Sequence, residues 1–99
     1  MAFVAAAKAA DVAAGTIREV QVGATRIALA NVGGAFYAIN GTCLHRGGPL
    51  GQDQLEGKTV TCPWHGWQFD VRTGECLTVT EKLKTYEVMV EDGSVKILI

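Results

Sequence analysis

Two cysteines and the only two histidines of the chain stand in adjacent pairs: Cys43-Leu44-His45 and Cys62-Pro63-Trp64-His65. Each pair offers one thiolate and one imidazole. Together they make a Cys-x-His…Cys-x-x-His set of two sulfur and two nitrogen donors, the ligand types that borderline-soft metals prefer. With 2 histidines in 99 residues, both placed beside cysteines, the pattern reads as a metal centre.

Such a set suits tetrahedral zinc. It suits equally a cluster of two irons and two sulfides in which two histidines replace two cysteines on one iron. Each segment supplies a cysteine and then a histidine, so in a two-iron cluster each segment would touch both irons. Zinc fingers more often pair like ligands locally and carry the second pair on a helix. Here the second pair contains Pro63 and is followed by Gly66, which opposes a helix. Gly47, Gly48 and Gly66 flank the ligands. Inorganic sulfide accepts hydrogen bonds from backbone N–H groups, and glycine permits the close approach. These features favour the cluster, with a zinc-binding structural module as the alternative.

The elements that must hold these segments are strands. Thr16 to Val22, Thr25 to Val32, Ala35 to Ile39, Thr59 to Cys62, Trp67 to Val71, Lys84 to Glu91 and Ser94 to Ile99 read as strands. Gly33-Gly34 and Asp92-Gly93 are hairpin signals, and Asp70 to Gly74 reads as a turn closing on glycine. Ala10 to Ala14 predicts one helical turn with Asp11 as its cap. The expected fold is all-β, a small antiparallel sandwich or barrel in which two hairpin loops, over roughly residues 41–77, project the ligands from a single domain spanning 1–99.

Composition narrows the partners. The formal net charge is −1, so no basic excess points to nucleic acid and no polybasic patch to anionic lipid. The alanine-rich stretch from Ala5 to Ala14 lacks a basic segment before it and is interrupted by Lys8 and Asp11, unlike a signal peptide. No apolar run approaches membrane-spanning length. The expectation is a soluble, cytoplasmic protein. Three cysteines leave one over in any disulfide scheme. Cys76, with no histidine near it in sequence, reads as a small buried apolar side chain.

The boxes Cys43-Leu44-His45-Arg46-Gly47-Gly48-Pro49-Leu50 and Cys62-Pro63-Trp64-His65-Gly66-Trp67-Gln68-Phe69-Asp70, with Thr73-Gly74, resemble the Rieske iron–sulfur family. The Asp11 to Gly15 turn, the strand Phe36 to Asn40 and Lys84-Thr85-Tyr86 also match its layout. The resemblance implies one 2Fe–2S cluster, with Cys43 and Cys62 on one iron and His45 and His65 on the other. It further implies a monomeric ferredoxin of a ring-hydroxylating dioxygenase system. Such a ferredoxin carries single electrons from a flavin-dependent ferredoxin reductase to a terminal oxygenase and is not itself an enzyme. A small Rieske-type subunit of a nitrite reductase or other oxidoreductase is the alternative within the family. Ninety-nine residues leave no room for a mononuclear iron site or a flavin domain.

Respiratory Rieske proteins carry an extra cysteine in each ligand loop; the corresponding positions here are Gly48 and Trp64. High-potential members also place a serine and a tyrosine after the second histidine, where this chain has Trp67 and Phe69. The departures imply a low-potential centre, near roughly −150 mV. Leu44, Pro49, Leu50, Trp64 and Trp67 are candidates for apolar docking surface, and Arg46 for pairing with an acidic partner. For Trp67, packing beneath the loop competes with docking. The third loop of the family often contains proline; Cys76 to Glu81 here has none.

Overall fold

The run Ile27-Ala28-Leu29-Ala30 is apolar at every position, the pattern of a strand covered on both faces. The computed structural model, which describes residues 2–42, 55–62, 66–77 and 82–99, places this run in β3 (Thr25–Val32) with all four residues fully buried. β3 pairs antiparallel with β2 (Ile17–Val22) on one side and β4 (Ala35–Asn40) on the other. Beyond β4 lies β8 (Thr85–Tyr86), giving the sheet order β2-β3-β4-β8. A second sheet has the order β1 (Phe3–Lys8), β10 (Ser94–Leu98), β9 (Val88–Glu91). A third joins β5 (Leu55–Glu56), β6 (Thr59–Thr61) and β7 (Gln68–Asp70). Every strand pairing described is antiparallel, as the expected all-β fold requires.

Alternation along β3 explains the layering. Ala28 and Ala30 face a core shared with Ile39, Leu55, Val60, Cys62, Phe69, Val71 and Leu83, beneath the third sheet. Ile27 and Leu29 face the opposite way, into a core with Val12, Val20, Val22, Ala38, Val95 and Ile97. The two small alanines leave room for the Phe69 ring and for Leu83, both essentially inaccessible. Burying each such large side chain contributes about 1.5–3 kcal/mol, so this interface is what fixes the third sheet on the scaffold.

The hairpin turns follow the sequence. Val32 and Ala35 bracket Gly33-Gly34 with φ of 60° and 97°, and Glu91 and Ser94 bracket Asp92-Gly93 with φ of 51° and 77°. Positive φ at both central positions is the type I′ geometry that matches strand twist. Buried Asn31 ties the N-terminal segment to the first of these turns. Its Nδ2 donates to Val12 O at 2.8 Å, and its Oδ1 accepts from Gly34 N at 2.8 Å.

Two expectations are corrected. The alanine-rich segment forms strand β1 and then a single 3-10 turn at Ala9–Asp11, not a helical turn over Ala10 to Ala14. Asp11 lies inside that turn, and its cap residue Lys8 makes no side-chain capping bond. Alanine favours helix by roughly 0.5 kcal/mol per residue, too little for so short a segment to stand alone. Pairing with β10, from Phe3↔Leu98 to Lys8↔Ser94, decides the outcome. Lys84 to Glu91 is also not one strand. Tyr86 pairs with Ala38 in the central sheet, whereas Val88 pairs with Ile97 in the outer one. The chain changes sheets at Glu87, whose carbonyl accepts from Leu98 N at 3.0 Å.

Candidate metal centre

The second ligand segment is the connection of a short hairpin. β6 and β7 pair through Thr59↔Asp70, Val60↔Phe69 and Thr61↔Gln68. Cys62 follows directly, with its amide donating to Trp67 O at 2.7 Å. Gly66, at φ +75°, donates its amide back to Cys62 O at 3.0 Å. That bond closes a tight turn and occupies the Gly66 N–H. Gly66 is therefore a turn residue in this arrangement. Few side-chain-bearing residues adopt this φ, which explains glycine here.

Cys62 is 2% exposed and lies in the same buried cluster as Phe69, Val60, Leu55 and Leu83. Ile39, near the end of β4, belongs to that cluster too. The roots of the two ligand segments thus rest on one apolar floor. Three residues beyond Ile39, the described part of the first segment ends at Thr42, whose amide donates to Asn40 Oδ1 at 2.9 Å. Cys43, His45 and His65 lie outside the described residues, as do Leu44, Arg46, Gly47, Gly48, Pro49, Leu50 and Trp64. Among the described residues no three His, Cys, Asp or Glu side chains gather into a metal-binding group.

Trp67 is half-buried and packs against the core cluster, the packing role that competed with docking. Cys76 is half-buried, not fully buried as expected; it packs on the same cluster and bridges to Phe69. Of the third loop, only Cys76 and Leu77 are described. Leu77 donates its amide to Gln68 O at 2.7 Å and leaves 57% of its surface exposed. An exposed leucine one strand away from the ligand hairpin carries no sequence signal, because nothing in the surrounding pattern distinguishes it from a core position.

The far end of the hairpin is closed by charge. Asp70, 8% exposed, accepts from Arg72 N at 2.9 Å, Arg72 Nε at 3.3 Å and Arg72 Nη2 at 3.2 Å, with Lys58 Nζ 3.8 Å away. Burial pushes its carboxyl up, but the Arg72 hydrogen bonds and the charges of Arg72 and Lys58 outweigh this and hold it below its ordinary value. Gly74, at φ +78°, sits against Leu83 and accepts from Leu83 N at 2.7 Å. This contact joins the hairpin to the segment leading into β8.

The donor chemistry and this setting fit a sulfur-ligated cluster: one thiol at the mouth of a tight turn, over an apolar floor that keeps water from beneath it. Residues 2–88 match the Rieske 2Fe-2S domain. The chain belongs to the Rieske family. As a Rieske protein it carries a 2Fe–2S cluster, which decides the choice between iron–sulfur and zinc. It is 47% identical over 72 residues to the 3-phenylpropionate/cinnamic acid dioxygenase ferredoxin subunit of Escherichia coli (strain K12), covering 70% of this chain and 68% of that one. It is 35% identical to the ferredoxin component of the naphthalene 1,2-dioxygenase system of Pseudomonas putida, over 96% of this chain and 93% of the relative. A chain in the complex of reduced oxygenase and oxidized ferredoxin in carbazole 1,9a-dioxygenase superposes with a TM-score of 0.87 at 38% identity, covering 96% and 91% of the two chains. Like these ferredoxins, this Rieske protein is an electron carrier rather than an enzyme. No helix among the described residues is long and apolar enough to cross a membrane.

Proposed function

We propose that this chain is the low-potential ferredoxin of a ring-hydroxylating dioxygenase system, taking electrons one at a time from a flavin-dependent reductase and delivering them to a terminal oxygenase. The observation that carries this reading is the near end-to-end correspondence with the naphthalene dioxygenase ferredoxin component. In this reading residues 1–99 act as one Rieske domain, with the cluster-binding part at about 41–77. Cys43 and Cys62 hold one iron, and His45 and His65 the other. When bound, the cluster supplies a single-electron redox centre.

The protein's own residues do the rest. Phe69, Val60 and Leu83 keep the base of the Cys62 loop dry. Trp67 and Phe69, which share a cluster with Cys62, carry no hydroxyl. Without such donors a reduced, more negative cluster gains no added stabilisation, which supports a potential near roughly −150 mV. A net charge of −1 fits a monomeric cytoplasmic carrier that binds neither nucleic acid nor membrane. Electron-transfer encounters use small, transient interfaces, so weak binding to both partners is expected.

The test is single-turnover transfer: the chemically reduced protein is mixed anaerobically with oxidised terminal oxygenase from a ring-hydroxylating system. Oxygenase reduction at rates that saturate with ferredoxin concentration supports the reading. Transfer to a nitrite reductase alone would replace it.

A further inference from the structure

The first ligand segment leaves the central sheet at a defined step. Asn40 is still in register with Ile27, and its amide donates to Lys84 O at 2.9 Å. Gly41 extends the ladder by one bond, donating to Arg26 O at 2.9 Å. Thr42, still in a β-bridge, has its amide tied to the Asn40 side chain, donating to Oδ1 at 2.9 Å. Cys43 is the next residue in the sequence.

Gly41 is buried, and there is no room beside it. A Cβ there would stand 2.8 Å from Arg26 Cγ and 3.1 Å from the backbone carbons of Arg26 and Ile27, where ordinary contact begins at 3.4 Å. Arg26 is itself held by Glu19, Nε to Oε1 at 3.4 Å. Gly41 therefore lets the chain seat directly on β3, and the Asn40 side chain holds the Thr42 amide that follows.

We infer that Asn40 and Gly41 are positioning residues that fix where Cys43 presents its sulfur. The inference rests on the reading of Cys43 as a ligand. Ligand constellations tolerate about 0.5 Å of misplacement. A side chain at residue 41 would force the two strands apart by a few tenths of an ångström, one residue short of the cysteine. Loss of the Asn40 side-chain carbonyl would free the Thr42 amide, the last backbone donor before the cysteine. The second segment has its own device, the Gly66 N to Cys62 O bond.

The experiment compares holoproteins carrying Asn40→Ala, Asn40→Asp, Gly41→Ala and Cys43→Ser. Readouts are the reduced-state EPR g-values, the rate of cluster loss to a chelator, and amide exchange across β3 and β4. Asn40→Ala is expected to lose its cluster roughly fivefold faster, the factor one lost neutral hydrogen bond supports, with shifted g-values and unchanged exchange at Leu29 and Ala38. Asn40→Asp, which keeps the acceptor oxygen, is expected to retain wild-type g-values and rate. Gly41→Ala should match Asn40→Ala in g-values and cluster-loss rate, with faster exchange where β3 meets residue 41; if it does not fold, the pair at residue 40 decides. Wild-type behaviour of Asn40→Ala, or no rescue by Asn40→Asp, overturns the inference. A wild-type spectrum from Cys43→Ser instead overturns the ligand reading beneath it.

Discussion

The guanidinium of Arg72 closes on the carboxylate of Asp70 with two parallel contacts, Nε to Oδ1 at 3.3 Å and Nη2 to Oδ2 at 3.2 Å, at the end of the hairpin opposite Cys62. Each strand of that hairpin is 3 residues long, so a register fixed at one end is felt at the other. Asp70 also caps the turn that follows it: Thr73 N and Gly74 N both donate to its carbonyl.

Because the Asp70 carboxyl titrates lower in the fold than in the unfolded chain, its contribution is complete above the ordinary aspartate range and is lost as pH falls through the folded value. Arg72 and Lys58 are largely solvated, which screens the pair. Asp70→Asn is therefore expected to cost only about 1 kcal/mol. The cost should be the same at neutral pH and at about pH 5. Urea midpoints at the two pH values measure it. A cost that vanishes at the lower pH would mean the carboxyl titrates upward instead.

Gly74→Ala should be more damaging than its small size suggests. The new Cβ would point into the Leu83 carbonyl and would sit at a φ of +78°. Strain of this kind costs roughly 1–3 kcal/mol, equivalent to a fall of at least about 4 °C in the melting temperature of a domain this size. Gly23→Ala is the control: its φ is +61°, with nothing within 4 Å of the added carbon, so only the backbone cost applies. Equal losses at the two sites would show that the Leu83 contact carries no weight.

Phe69 joins packing to potential. Phe69→Ala should destabilise by about 3–5 kcal/mol, as for other fully buried aromatics. Phe69→Tyr tests the redox argument, because it puts a hydroxyl on the strand that follows the Cys62 segment, at a position where this chain has none. Its midpoint potential should rise. A midpoint equal to that of the wild type would remove the missing hydroxyl from the explanation of low potential.

Cys76 shares the core with Cys62 but is not among the four ligands proposed. Cys76→Ala should leave iron content and the EPR spectrum intact and cost less than about 1.5 kcal/mol. Loss of iron in this variant would bring a third thiolate into the cluster's chemistry.

Much of the scaffold is readable because its signals are local. The unbroken apolar run of β3, the Gly33-Gly34 and Asp92-Gly93 turns and the paired Cys and His residues each stand in a few consecutive positions. Other features depend on distant partners. Ala5, Ala6 and Ala7 become strand because β10 is there to receive them. Lys84 to Glu91 divides because its two halves meet different sheets. The seating of Gly41 against Arg26 and Ile27, and the contact of Gly74 with Leu83, are tertiary approaches that no spacing reveals. The Asp70–Arg72 pair is local, two residues apart in a turn, but the burial of Asp70 that gives it weight comes from the packed hairpin.

If Cys43, His45, Cys62 and His65 hold a low-potential Rieske cluster, an EPR-monitored redox titration of the anaerobically purified protein will show it. The expected result is a single one-electron transition near roughly −150 mV, with an average g below that of four-cysteine ferredoxins. A clearly positive midpoint, or no iron-linked signal in protein holding stoichiometric zinc, would contradict it.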